Sequence, residues 1–121
     1  MAHYSEQIQQ HLARPRNPGA LPNPTAVGRA ENSACGDVLD LYVTLEDGRI
    51  TRTGFQAAGC PPAIAVGSLL TELLIGLSPQ QALAITTDQL EEALGGIPSA
   101  KRHVLTLARE AVRQALQSVR N

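Results

Sequence analysis

The stretch that constrains this chain most is Leu39 to Leu45, in which Leu39, Leu41, Val43 and Leu45 alternate with Asp40, Tyr42 and Thr44. Period-two alternation puts the four aliphatic side chains on one face of an extended strand and leaves the other face polar, as in a half-buried antiparallel sheet. The strand over residues 38–45 runs into Glu46-Asp47-Gly48-Arg49, a hairpin turn with a glycine available for positive φ. A return strand is predicted from Ile50 to Ala58. Ile50 and Phe55 have opposite parity within it, which predicts a bulge or shift near Gly54. A hairpin brings its outer ends together, and those ends carry the only two cysteines, Cys35 and Cys60.

Helical periods flank this hairpin. Tyr4, Ile8 and Leu12 predict a short helix over residues 4–13, capped by Ser5 and stopped by Pro15. Residues 14–36 are rich in proline and glycine without a period, apart from a short edge strand predicted near Ala26–Ala30; so long a connection in a compact domain serves a site or is mobile. From Pro61, Ile64, Ala65, Leu69, Leu73 and Leu74 form a broad apolar stripe, predicting a largely buried helix that ends at Gly76. Ser78-Pro79-Gln80-Gln81 predicts a capping box and a short helix through Ile85. Thr87-Asp88 is read as the cap of the next, which Gly95-Gly96 stops. A last amphipathic helix is predicted from Ser99 to Val119. The fold class is therefore α+β, a small antiparallel sheet with helices packed on one face.

At 121 residues the chain is expected to be one domain spanning 1–121. A net charge of −1 and only three aromatic residues exclude the basic surface and stacking platform of a nucleic-acid binder. No apolar run resembles a signal peptide or a membrane span, so a cytoplasmic protein with reduced thiols is expected.

In that setting Cys35 and Cys60 read as buried thiols, metal ligands or a reactive site before they read as a disulfide. Asp37 follows Cys35 by two residues, and Cys60 stands at a helix entrance, where unpaired N–H groups stabilise a thiolate. His103 lies in the first turn of the last helix. Two sulfurs, a carboxylate and an imidazole make a four-ligand metal set. The same residues could also form a Cys60–His103–Asp37 catalytic triad, although Pro61 and Pro62 remove two N–H groups that an oxyanion hole would use. The plainer alternatives are a small buried thiol, a turn entering a strand and an exposed histidine. His3 and His11 are placed where nothing converges on them.

Tyr4-Ser5, Pro15-Arg16-Asn17, Ala34-Cys35-Gly36-Asp37, Gly59-Cys60 with Ala63-Ile64-Ala65, Gly76, Lys101-x-His103 and Leu107-Ala108 with Ala111 occur in one order along nearly the whole chain. In this the sequence resembles the IscU/NifU N-terminal family of iron–sulfur cluster assembly scaffolds. The resemblance implies a non-enzymatic scaffold that binds a labile [2Fe–2S] cluster, or iron, at Cys35, Asp37, Cys60 and His103, with Zn²⁺ able to occupy the cluster-free site. It implies a cysteine desulfurase and acceptor apo-proteins as partners, and is compatible with a homodimer. Two departures stand out. The family's third cysteine, the position most associated with receiving sulfur, should follow the histidine, and Val104 is there. The family's chaperone-recognition segment is reduced to Ile97-Pro98-Ser99-Ala100-Lys101, which gives no ground for expecting chaperone hand-off. Val104 therefore keeps a second reading in view, a zinc- or iron-binding relative that regulates or binds a partner without assembling clusters.

Overall fold

The computed structural model describes residues 4–117 and 119; His3 lies outside the described residues. Three antiparallel strands, β1 (Ala26–Asn32), β2 (Asp37–Glu46) and β3 (Arg49–Ala58), form one sheet in the order β1-β2-β3. Around it run α1 (Glu6–Ala13), α2 (Pro61–Leu73), α3 (Pro79–Leu83), α4 (Thr87–Ala93) and α5 (His103–Leu116). The alternation of β2 works as its sequence requires. Leu39, Leu41 and Val43 are fully buried beneath the helices, with Val66, Leu70 and Leu105 in the same core. The helix-free face carries polar cross-strand pairs instead. Arg29 forks onto Asp40 at 2.7 and 2.9 Å, and the Tyr42 hydroxyl donates to Gln56 Oε1 at 2.8 Å. These pairs are open to solvent and weakened by it, so burial on the other face dominates.

The parity change in β3 is real, but it is accommodated away from Gly54. Thr44 pairs with Arg52 and Leu45 with Ile50, which leaves Thr51 as the extra residue. The irregularity stands where it can turn Ile50 inward while Thr53 and Phe55 stay buried. Gly54 has a different reason. A Cβ there would lie 2.4 Å from the carbonyl oxygen of Gly19, so only glycine lets the incoming chain approach β3 this closely.

That incoming chain is the proline- and glycine-rich segment, and buried hydroxyls hold it in place. Gly19 N–H donates to the Phe55 carbonyl at 2.7 Å and Phe55 N–H to that of Asn17 at 3.3 Å. The hydroxyl oxygen of Ser68 accepts from Arg16 N–H at 2.8 Å, and that of Thr71 accepts from Asn17 Nδ2 at 3.2 Å. Thr53 in turn donates to the Thr71 carbonyl at 2.7 Å. Ser68 and Thr71 are fully buried on α2, so these bonds replace water at groups that would each cost about 1–3 kcal/mol if left unpaired. His11 joins them, contrary to the expectation that nothing converges on it. Its Nδ1 is 2.6 Å from Ser68 Oγ, and its Nε2 is 3.9 Å from a Glu72 carboxylate oxygen.

Other boundaries shift for local reasons. The edge strand extends to Asn32. The fourth helix is capped by Thr86, not by Thr87-Asp88, because Thr86 and Gln89 exchange the two hydrogen bonds of a capping box. The expected helix from Ser99 to Val119 divides into a tight 3₁₀ turn at Ser99–Lys101 and α5, which starts at His103 and ends at Leu116.

Burial is the largest influence on His11 and lowers its pKa below 6.5; the Glu72 carboxylate opposes this and Arg16 adds to it. The unfolded chain therefore binds this proton more readily than the folded one. Stability should be full above pH 6.5 and decline as pH falls through the interval below it. Urea midpoints at pH 7.5 and 5.5 test this. The wild type should lose stability over that interval, and a His11→Asn variant should lose less.

Candidate metal centre

The four candidate residues arrive from four separate places on the fold. Cys35 is exposed in the turn between β1 and β2, where the N–H groups of Cys35 and Gly36 both donate to the Asn32 carbonyl at 3.1 and 2.8 Å. Asp37 is the first residue of β2, Cys60 is the N-cap of α2, and His103 is the first residue of α5. The hairpin makes the first three neighbours. His103 joins them because α5 packs across β1 and β2.

Asp37 is the hub. Its side chain is only 1% exposed, yet it meets three partners. Oδ1 accepts from the Cys60 backbone N–H at 2.9 Å, Oδ2 lies 2.6 Å from His103 Nε2, and the Cys60 Sγ is 3.7 Å from the same Oδ2. The carboxylate thus sits at the N-terminal ends of both α2 and α5, where helix dipoles favour negative charge. Burial opposes its ionisation, but the Cys60 N–H and the His103 ring outweigh burial and hold its pKa below the ordinary value of 3.8. Gly59 makes this contact possible. It has a φ of +126°, and a Cβ there would stand 2.0 Å from Asp37 Oδ1 and 2.9 Å from Asp37 Cα.

A sulfur of Cys35, a carboxylate oxygen of Asp37 and a ring nitrogen of His103 all lie within 4.8 Å of one another. Ligands on one tetrahedral ion stand roughly 3.3–3.8 Å apart, from bonds of about 2.0–2.3 Å. A small contraction would therefore put these three around one metal. Cys60 is outside this trio but touches it through Asp37. The donor set fits iron or zinc, with two sulfurs, one nitrogen and one oxygen available.

The electrostatics of Cys60 differ from the helix-entrance expectation. Burial raises its thiol pKa above 9.0; the Ala63 N–H lowers it, the Asp37 charge raises it and Lys101 lowers it, and the net direction is upward. The two prolines at the start of α2 carry no N–H to add to that of Ala63. The triad geometry is also absent among the described residues: Cys60 and His103 both address Asp37 rather than each other. Val104, next to His103, is fully buried in the core. The sequence did not mark Gly59 as a site residue. Its signs were a glycine directly before a cysteine at a strand-to-helix junction and its place in the Gly59-Cys60 motif of the resemblance.

Residues 3–121 match the NifU-like N terminal domain family. The iron-sulfur cluster assembly scaffold protein IscU 1 of Archaeoglobus fulgidus is 41% identical over 113 residues, covering 93% of this chain and 74% of that protein. IscU of Aquifex aeolicus is 38% identical over 116 residues, covering 94% of this chain and 74% of its own length. A crystal structure assigned to a SUF-system iron–sulfur cluster assembly scaffold from Fervidobacterium islandicum superposes with a TM-score of 0.77 at 23% identity. It covers 93% of this chain and 96% of that one, which is a likeness of fold.

Because Cys35 is exposed and Cys60 is half-buried with a raised pKa, iodoacetamide at neutral pH should alkylate Cys35 several-fold faster. Intact-mass time courses on metal-free Cys35→Ser and Cys60→Ser variants measure the two rates separately. Equal rates would show that burial does not control Cys60.

Proposed function

The chain belongs to the NifU-like N-terminal domain family, and from that membership we propose that it is an iron–sulfur cluster assembly scaffold. It holds a labile [2Fe–2S] cluster, or the iron and sulfide that become one, and passes it to acceptor proteins. The observation that carries this reading is the convergence of Cys35, Asp37 and His103 within 4.8 Å, with the Cys60 thiol 3.7 Å from the same aspartate. We assign these four residues as the terminal ligands of the cargo. Mixed cysteine and histidine ligation is established for such clusters. A carboxylate in place of a third thiolate weakens the hold on a cluster that favours soft thiolate ligands, which suits a cargo that must leave.

In this reading residues 1–121 act as one non-catalytic domain in the cytoplasm. A cysteine desulfurase supplies sulfur, apo-proteins accept the finished cluster, and two copies can share it. The Asp37 carboxylate positions the site before loading, since it already orients the Cys60 backbone and the His103 ring. When cargo binds, those contacts are exchanged for bonds to metal and the thiols lose their protons.

Val104 favours a second reading, in which the chain binds zinc or iron and regulates or recruits a partner without assembling clusters. A valine buried at that position neither ligates nor carries a persulfide, so sulfur must arrive on Cys35 or Cys60 or as sulfide.

Anaerobic reconstitution with iron, cysteine and a cysteine desulfurase separates the two. Iron and acid-labile sulfide in comparable, near-stoichiometric amounts are expected, and the Cys60→Ser variant should lose them. Zinc, or iron without sulfide, would move the protein to the second reading. A Val104→Cys variant that gains persulfide strongly would locate the native chain's deficit at sulfur transfer.

A further inference from the structure

A second concave surface lies between α5 and the segment that carries α3 and α4. Leu70, Ala82, Leu90 and Val112 form its apolar floor, and Leu83 and Ile85 one wall, enclosing about 230 Å³. That is below the roughly 300–1,000 Å³ of small-molecule sites, and of a size to take one large aliphatic side chain. Its charged rim is Arg109, Glu110 and Arg113. Arg113 and Glu110 neutralise one another, with Nη2–Oε2 at 2.6 Å and Nε–Oε1 at 3.0 Å. Arg109 is exposed and has no hydrogen-bond or ion-pair partner among the described residues. Among the described residues, the mouth of the groove therefore presents one uncompensated cation.

The groove is also continuous with the metal centre. Thr106 and Glu110 line it and equally line a wider groove that contains His103. His103, Thr106 and Glu110 follow one another at three- and four-residue spacing, so they share a face of α5 and span about 10 Å along it.

We propose that this groove docks a segment of a partner protein that presents a large aliphatic side chain with a carboxylate one or two residues away. The aliphatic group fills the floor and the carboxylate pairs with Arg109. Chain running on from that anchor crosses Thr106 and reaches His103. The docking rests on the groove alone; its use in cluster transfer rests on the scaffold reading.

Blocked dipeptides serve as probes, titrated into the full ¹⁵N-labelled chain with and without metal. Acetyl-Leu-Asp-amide should give saturable shifts at the amides of Leu83, Ile85 and Arg109. Acetyl-Leu-Lys-amide should bind about fivefold more weakly, the size of one exposed ion pair, and acetyl-Ala-Asp-amide should also bind more weakly. Arg109→Glu should reverse the preference between Asp and Lys while its iron and sulfide content after reconstitution equals that of the parent. Unsaturable shifts, shifts elsewhere on the surface, or equal affinity for the three dipeptides would overturn the proposal. Peptide binding by a chain that takes up no cluster would support the groove and remove the scaffold reading.

Discussion

A carboxylate 1% exposed to water must be compensated, and the way Asp37 is compensated organises this molecule. An ion of that kind pays heavily for leaving solvent unless charge and hydrogen bonds replace the lost water. Asp37 finds the Cys60 N–H, the His103 ring and the thiol of Cys60, contributed by the starts of two helices on opposite sides of the hairpin end. Those contacts tie β2 to both α2 and α5 at one point. They also hold Cys60 and His103 beside the Asp37 carboxylate, three of the four candidate ligands. The requirement that stabilises the carboxylate is thus the one that draws two further candidate ligands, Cys60 and His103, to it.

Fold and site are linked a second time through α2. One end of this helix presents Cys60 to the site. Its middle is packed against the sheet by Val66 and Leu70, and the Ser68 and Thr71 hydroxyls anchor the irregular segment before β1. Most residues of α2 are buried, including these two polar ones. Movement of the helix would therefore disturb the core, the N-terminal segment and the candidate metal centre together. Val104 has a similar double position, since it adjoins His103 in sequence and belongs to the core in space.

Much of this was legible in the chain. The alternation through Leu39, Leu41 and Val43 determined a hairpin with one buried face, because side chains in a strand point to alternate sides whatever surrounds them. Turn and cap residues marked most of the element boundaries, and the hairpin brought Cys35, Asp37 and Cys60 together by chain geometry alone. Less was visible for Ser68, Thr71 and His11. They are polar residues whose burial depends on a distant irregular segment lying against them, and no periodicity encodes that. The reason for Gly54 was hidden in the same way, since the Gly19 carbonyl that excludes a side chain comes from far away in sequence.

By itself, then, the sequence determined the class of fold, the hairpin and the set of groups able to ligate, because these follow from local period, turn chemistry and residue type. Only the tertiary structure decided that Asp37 is the buried centre of that set, that burial pushes the Cys60 thiol pKa up, and that Val104 faces the core. Those outcomes depend on desolvation, on helix ends meeting one carboxylate and on close backbone approach. Such effects exist only once distant segments are packed together.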